Sequence, residues 1–194
     1  MPQITRDSLM TLEAYFKARQ EFRAKVMAHK KNRTLPLGGN VTLIFEDELT
    51  IRYQIQEMLR VERIFEDEGI EDELGAYNPL VPDGSNWKAT MMIGYPDLDE
   101  RRQMLAKLIG VEDKVWVKVD GHQRVYAIAD EDLERENAEK TSAVHFLRFE
   151  LDRAMGEALK RGAQVSAGID HPHYNVIVEN VDPAVTASLV EDLV

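Results

Sequence analysis

The sequence has no cysteine among its 194 residues. That absence excludes disulfides, thiolate metal sites, thiol redox chemistry and cysteine-ligated iron–sulfur clusters. Any redox role would have to run through a bound cofactor or a partner protein. No run approaches the roughly 20 apolar residues of a membrane span. The opening segment, Met1-Pro2-Gln3-Ile4-Thr5-Arg6-Asp7, lacks the apolar core of a signal peptide. The expected location is therefore cytoplasmic, with no membrane partner. Phosphate-loop, dinucleotide-fold, serine-hydrolase and zinc-protease motifs are all missing, as are internal repeats and low-complexity segments. Positive charge is scarce too. The chain carries 24 Lys and Arg against 35 Asp and Glu, a formal charge of −11, which repels a phosphate backbone at long range. The basic strip Arg23, Lys25, Lys30, Lys31 and Arg33 reads as a solvated helix end near the negative pole of its dipole.

What is present is a globular balance of 44% hydrophobic and 30% charged residues. It fits a single domain over 1–194, with a helical part over about 1–110 and a strand-rich part over about 111–194. Asp7-Ser8 can cap a helix through Leu12, Tyr15, Phe16, Phe22, Val26 and Met27, ending among His29–Arg33. Val41–Phe45 predicts a strand, and Glu48 or Thr50 to about Glu66 a second long helix. Gly69–Gly84, with Tyr77-Asn78-Pro79 and Pro82-Asp83-Gly84, predicts an ordered loop. Trp87–Gly94 reads as a buried strand, and Pro96-Asp97 opens a helix that stops at Gly110. Val115–Val119 and Val125–Ala129 flank the hairpin signal Asp120-Gly121. The charged run Asp130–Lys140 reads as a solvated loop or short surface helix. Ser142–Leu151 and Gln164–Ile169 are further strands, Ala154–Lys160 is a short helix, and Asp182-Pro183 heads a last helix, Ala184–Leu193. The expected fold class is α+β, a mostly antiparallel sheet with helices packed on one face.

Several polar residues stand where a plain surface would not need them. On the second helix Glu62 falls near the centre of the stripe Ile51, Ile55, Met58 and Leu59, where a carboxylate must be paired, protonated or bound. If the helix ends early, Glu62 is simply exposed. On the first helix Arg19 and Arg23 fall inside the apolar arc, where they would form a buried ion-pair network, bind an anion or reach past their neighbours to water. Tyr53, Gln54, Glu57, Arg60 and Glu62, with Tyr77, Asn78 and Lys88 after them, supply donors and acceptors enough to line a pocket. They also fit the ordinary polar side of an amphipathic helix. Asp170-His171-Pro172-His173 places two imidazoles two residues apart, and a shared metal would find a third ligand in His145, Glu150 or a carboxylate of the second helix. Iron or zinc is then the cofactor to test. His145 also reads as a hydrogen-bonded core histidine.

Eight segments taken together resemble one family. They are Phe45-Glu46, Arg52–Glu66 (RYQIQEMLRVERIFE), Ala76–Gly84 (AYNPLVPDG), Lys88-Ala89-Thr90, Tyr95-Pro96-Asp97 with Glu100-Arg101-Arg102, Val125–Arg135 (VYAIADEDLER), Lys140–Leu151 (KTSAVHFLRFEL) and Gly168–Tyr174 (GIDHPHY). On these the chain is similar to the bacterial family called domain of unknown function 3501. The resemblance implies a genomic setting beside rubrerythrin and a heterodisulfide-reductase-like iron–sulfur protein. It thus implies a role in peroxide handling or electron transfer, with one of those redox proteins as partner.

Three readings follow. The first is an accessory or binding module of such a system, acting through protein contact or a small ligand, its acidic surface steering a basic partner. The second is a metal-dependent enzyme using His171 and His173 with a carboxylate. The third is an anion-binding regulatory domain using Arg19, Arg23 and Lys88. A homodimer is the symmetric assembly expected of a self-associating chain.

Overall fold

The structure, a computed structural model, describes residues 3–132 and 135–194. Two antiparallel sheets form its frame. The first has five strands in the order β1 (Thr34–Leu37), β2 (Val41–Glu46), β3 (Asn86–Ile93), β7 (Val144–Glu150) and β6 (Ile128–Ala129). The second has four, in the order β5 (Arg124–Tyr126), β4 (Val115–Val119), β8 (Val165–His171) and β9 (Tyr174–Val178). The α+β, antiparallel expectation is met, with two sheets where one was drawn. Val125–Ala129 explains the difference. Its chain pairs with β4, donates from Ala127 N to Val115 O at 2.9 Å, then crosses to pair with β7.

Strand alternation builds the core between the sheets. Leu43, Phe45, Trp87, Met91, Leu147 and Phe149 point inward from the first sheet, and Val115, Val117, Ala167 and Ile169 from the second. The opposite face of the first sheet carries Ile44, Thr90 and Phe146 in one cross-strand row and Glu46, Lys88 and Arg148 in the next. A smaller apolar cluster lies among the N-terminal helices. It joins Ile4 and Leu9 to Ile51, Ile55 and Leu59 of α2 (Glu48–Glu62) and to Ile70 and Leu74 of α3 (Asp67–Tyr77).

Local sequence accounts for several departures from expectation. Asp7-Ser8 makes only a short 3-10 turn. The first helix, α1 (Leu12–Lys31), starts one residue after Thr11, whose hydroxyl accepts from Ala14 N at 3.2 Å. Phe16, placed on its apolar arc, is 79% exposed. α2 stops at Glu62 because Arg63 turns left-handed, φ 56°. The predicted loop over Gly69–Gly84 is helical in its first half. Ile70 and Leu74, one turn apart, gain burial against α2, which outweighs the low propensity of Gly69 and Gly75. β1 and β9 are edge strands absent from the expectation. β1 tolerates Pro36 because, among the described residues, no strand pairs with its outer side. Asp97 caps α4 (Leu98–Lys107), Asp152 caps α5 (Arg153–Lys160) and Asp182 caps α6 (Pro183–Val190). No helix is long and apolar enough to cross a membrane among the described residues.

Candidate functional site

The register of the first sheet sets Glu46, Lys88 and Arg148 side by side on its outer face. α3 and the turn after it stand off from that face. The gap is a cavity of about 610 Å³ with Met58, Ala76, Leu80 and Phe146 as apolar wall and the charged row as floor. Its size is that of a small-molecule pocket. Three side chains from separate strands thus meet only through pairing.

The floor has unequal charges. Glu46 is buried and accepts from Thr50 Oγ1 at 2.5 Å and Thr90 Oγ1 at 2.7 Å. Arg148 lies in a two-pronged pair with Glu131, both contacts 2.7 Å, and also pairs with Glu150. These carboxylates hold its proton still more tightly than usual, and Arg148 in turn pulls Glu131 below the ordinary carboxylate range. Arg135 pairs with Asp132, stands 3.2 Å from Asp130 Oδ1 and covers the Phe146 ring at 4.6 Å.

Lys88 differs from both arginines. Its ammonium donates to the carbonyl of Pro79. No carboxylate lies within ion-pair distance of it among the described residues. Burial pushes its pKa below the ordinary lysine value, and nearby Arg148 pushes the same way against the pull of Asp83. The cavity therefore offers one cation short of an anionic partner, beside an apolar wall.

The other singled-out residues are dispersed. Arg19 and Glu57 do form an inward ion pair, with contacts of 2.7 and 3.1 Å between α1 and α2. The acid is Glu57 rather than Glu62. Tyr15 donates to the same carboxylate at 2.6 Å and Arg60 at 3.0 Å, and together, Arg19 foremost, they hold Glu57 down at about 2. Glu62 is exposed at the helix end, and Arg23 is exposed on α1, so neither faces the core as the helical phase suggested. Tyr53 is buried beside Phe22, ring centroids 6.1 Å apart, and Gln54 is half-buried. Tyr77 lines the cavity, whereas Asn78 clamps Ile4, accepting from its N at 3.0 Å and donating to its O at 2.9 Å. Arg19, Arg23 and Lys88 do not converge on one anion site.

Nor do the histidines converge. His171 donates from Nε2 to Ile109 O at 3.1 Å and accepts at Nδ1 from His173 N at 3.2 Å, which occupies both ring nitrogens. His173 is exposed, with its ring centroid 5.8 Å away. His145 belongs to the first sheet, on its core face, with Nδ1 2.5 Å from Asp130 Oδ2. Sequence reading missed Glu46, Arg135, Phe146 and Arg148 as cavity residues, although alternation along Val144–Glu150 places Phe146 and Arg148 opposite His145. It also missed Glu112 and Asp130, whose proximity to His145 depends on the sheet crossover.

Fold and cavity together define an α+β protein of two antiparallel sheets with a ligand-sized pocket between one sheet face and a helix. A family profile described as "Protein of unknown function (DUF3501)" matches residues 3–193, and the chain belongs to that family. It is similar to the crystal structure of a novel protein of unknown function from Burkholderia pseudomallei. The two share 58% sequence identity over 100% of each chain, with a TM-score of 0.95. A search of curated proteins finds no match.

Proposed function

We propose that the protein is a binding module for a small molecule with one anionic group, carboxylate or phosphate, and an apolar body. The observation that carries the reading is Lys88, a half-buried ammonium whose hydrogen bond goes to the Pro79 carbonyl, on the floor of a 610 Å³ cavity. A ligand anion beside it recovers Coulomb energy in a partly desolvated site, where it is worth more than in water. Met58, Leu80 and Phe146 then cover the apolar body, with about 25 cal/mol gained per Å² removed from water. The Arg148–Glu131 pair lies beside Lys88 without offering a free charge.

The test is a thermal-shift screen of straight-chain and aromatic carboxylates and phosphates, read on wild type and Lys88→Met. Binders stabilise the wild type by mass action and leave Lys88→Met unmoved. Equal shifts in both proteins, or none in either across the panel, would contradict the reading.

A further inference from the structure

A second polar cluster lies on the core side of β7, separate from the cavity. Glu112 is 6% exposed, and its Oε2 has no hydrogen-bond donor among the described residues. That oxygen stands 3.9 Å from His145 Nε2. The same ring nitrogen has Thr141 Oγ1 at 2.8 Å and Ser142 O at 3.1 Å, and the imidazole is fully buried. On the far side of the ring, Asp130 Oδ2 is 2.5 Å from Nδ1. The oxygens of an ionised carboxylate only accept, so Nδ1 carries the proton of that bond. Nε2 is then left facing a carboxylate, a carbonyl and a hydroxyl.

We infer that this cage is a divalent-cation site, with His145 Nε2 and the Glu112 carboxylate as principal ligands and Thr141 Oγ1 and Ser142 O completing the set. Glu112, Asp130 and His145 are the three described side chains whose ligand atoms lie within 4.8 Å of one another. Separations of 2.8–3.9 Å around Nε2 are those spanned by ligands about 2.0–2.2 Å from a shared ion. Asp130 takes the outer place, a carboxylate that fixes the tautomer and orientation of a liganding imidazole. An imidazole mixed with oxygens suits zinc or manganese.

Charge and access agree with the inference. A cavity of about 260 Å³ lined by Glu112, Asp113, Asp130, Glu136 and Arg135 opens on the cluster, four carboxylates against one guanidinium. Without an ion, the buried Oε2 of Glu112 has no donor among the described residues, an expensive state for a carboxylate oxygen. The competing arrangement is a second proton on Nε2, which makes His145 an imidazolium between two carboxylates.

The experiment is titration calorimetry of chelator-stripped protein with zinc chloride and, separately, manganese chloride. One equivalent should bind the wild type. Because removing a buried imidazole endangers the fold, Glu112→Gln carries the test, with an expected affinity loss of at least tenfold. Asp130→Asn should weaken binding about 10- to 100-fold. His171→Ala/His173→Ala and Lys88→Met should bind metal as the wild type does, which keeps this result independent of the cavity. A wild type that binds neither ion overturns the site. Unchanged affinity in Glu112→Gln overturns it as well.

Discussion

Asp130 and His145 are fifteen residues apart in the chain and meet through a 2.5 Å contact between Oδ2 and Nδ1. Asp130 reaches that position in a left-handed turn, φ 48°, just after the chain has crossed from one sheet to the other. Its Oδ1 accepts from Phe146 N at 2.9 Å, so one carboxylate ties the crossover to β7 and sets the face that Phe146 turns to the cavity. Asp130→Ala leaves a buried imidazole N–H and a backbone N–H without acceptors. It should cost about 2–4 kcal/mol in urea unfolding. Asp130→Asn, which tolerates the left-handed turn and keeps an acceptor, should cost less than half of that. Equal costs would show that the charge of the carboxylate, lost in both variants, carries the effect rather than the turn or the acceptor positions.

Asp192 makes stability depend on pH in one direction. It lies 2.5 Å from Arg33, yet burial outweighs that pair and raises its carboxyl from 3.8 to about 6. Between those values the folded protein holds a proton that the unfolded chain has released. Its contribution is therefore complete below pH 3.8 and is lost as pH rises through about 6. The difference in unfolding free energy between wild type and Asp192→Asn should change by up to about 3 kcal/mol over that window. A flat difference would remove the buried carboxyl from the account.

Glu57 acts in the opposite sense. Arg19, Tyr15 and Arg60 hold its carboxylate at about 2, below the 4.5 of an unperturbed glutamate. Its contribution is present above pH 4.5 and disappears as pH falls through about 2. Glu57→Gln should destabilise by about 1–3 kcal/mol at pH 7, and the gap to wild type should close in acid. A gap that persists at pH 2 would assign the effect to packing between α1 and α2.

Tyr174 links the two sheets at another point. Its hydroxyl donates to Leu37 O at 2.6 Å and accepts from Asn40 N at 3.1 Å. Gly38 fits beside it at φ 77°, where an added Cβ would lie 2.7 Å from that hydroxyl. Tyr174→Phe should cost about 1–2 kcal/mol. Gly38→Ala should cost more, from both collision and left-handed strain. The double variant should cost less than the sum, since removing the hydroxyl removes the collision. Strict additivity would separate the two residues.

Much of the fold was legible where one local rule decided it. Asp97 and Asp182 announced α4 and α6 as caps, and the valines of β4 announced a strand by alternation. Local rules failed where a distant contact decided. Ile70 and Leu74 make α3 a helix only because α2 receives them, and Arg63 ends α2 before Glu62 can turn inward. The site was less legible still. Lys88 could be singled out, but Glu46 and Arg148 join it through a register between strands far apart in the chain, which no spacing within either strand reveals. His171-x-His173 looked like ligand spacing, whereas the turn between them leaves one ring bonded to Ile109 and the other in solvent.

The most direct test of the binding reading is calorimetric titration with decanoate and with decyl phosphate, on wild type and on Lys88→Met. The account predicts one site per chain in the wild type for at least one of the two. It predicts a loss of tenfold or more in Lys88→Met, with no change in unfolding temperature between the unliganded proteins. Equal affinity in both proteins, or no binding of either compound by the wild type, would contradict the claim that Lys88 and its cavity receive an anionic, partly apolar ligand.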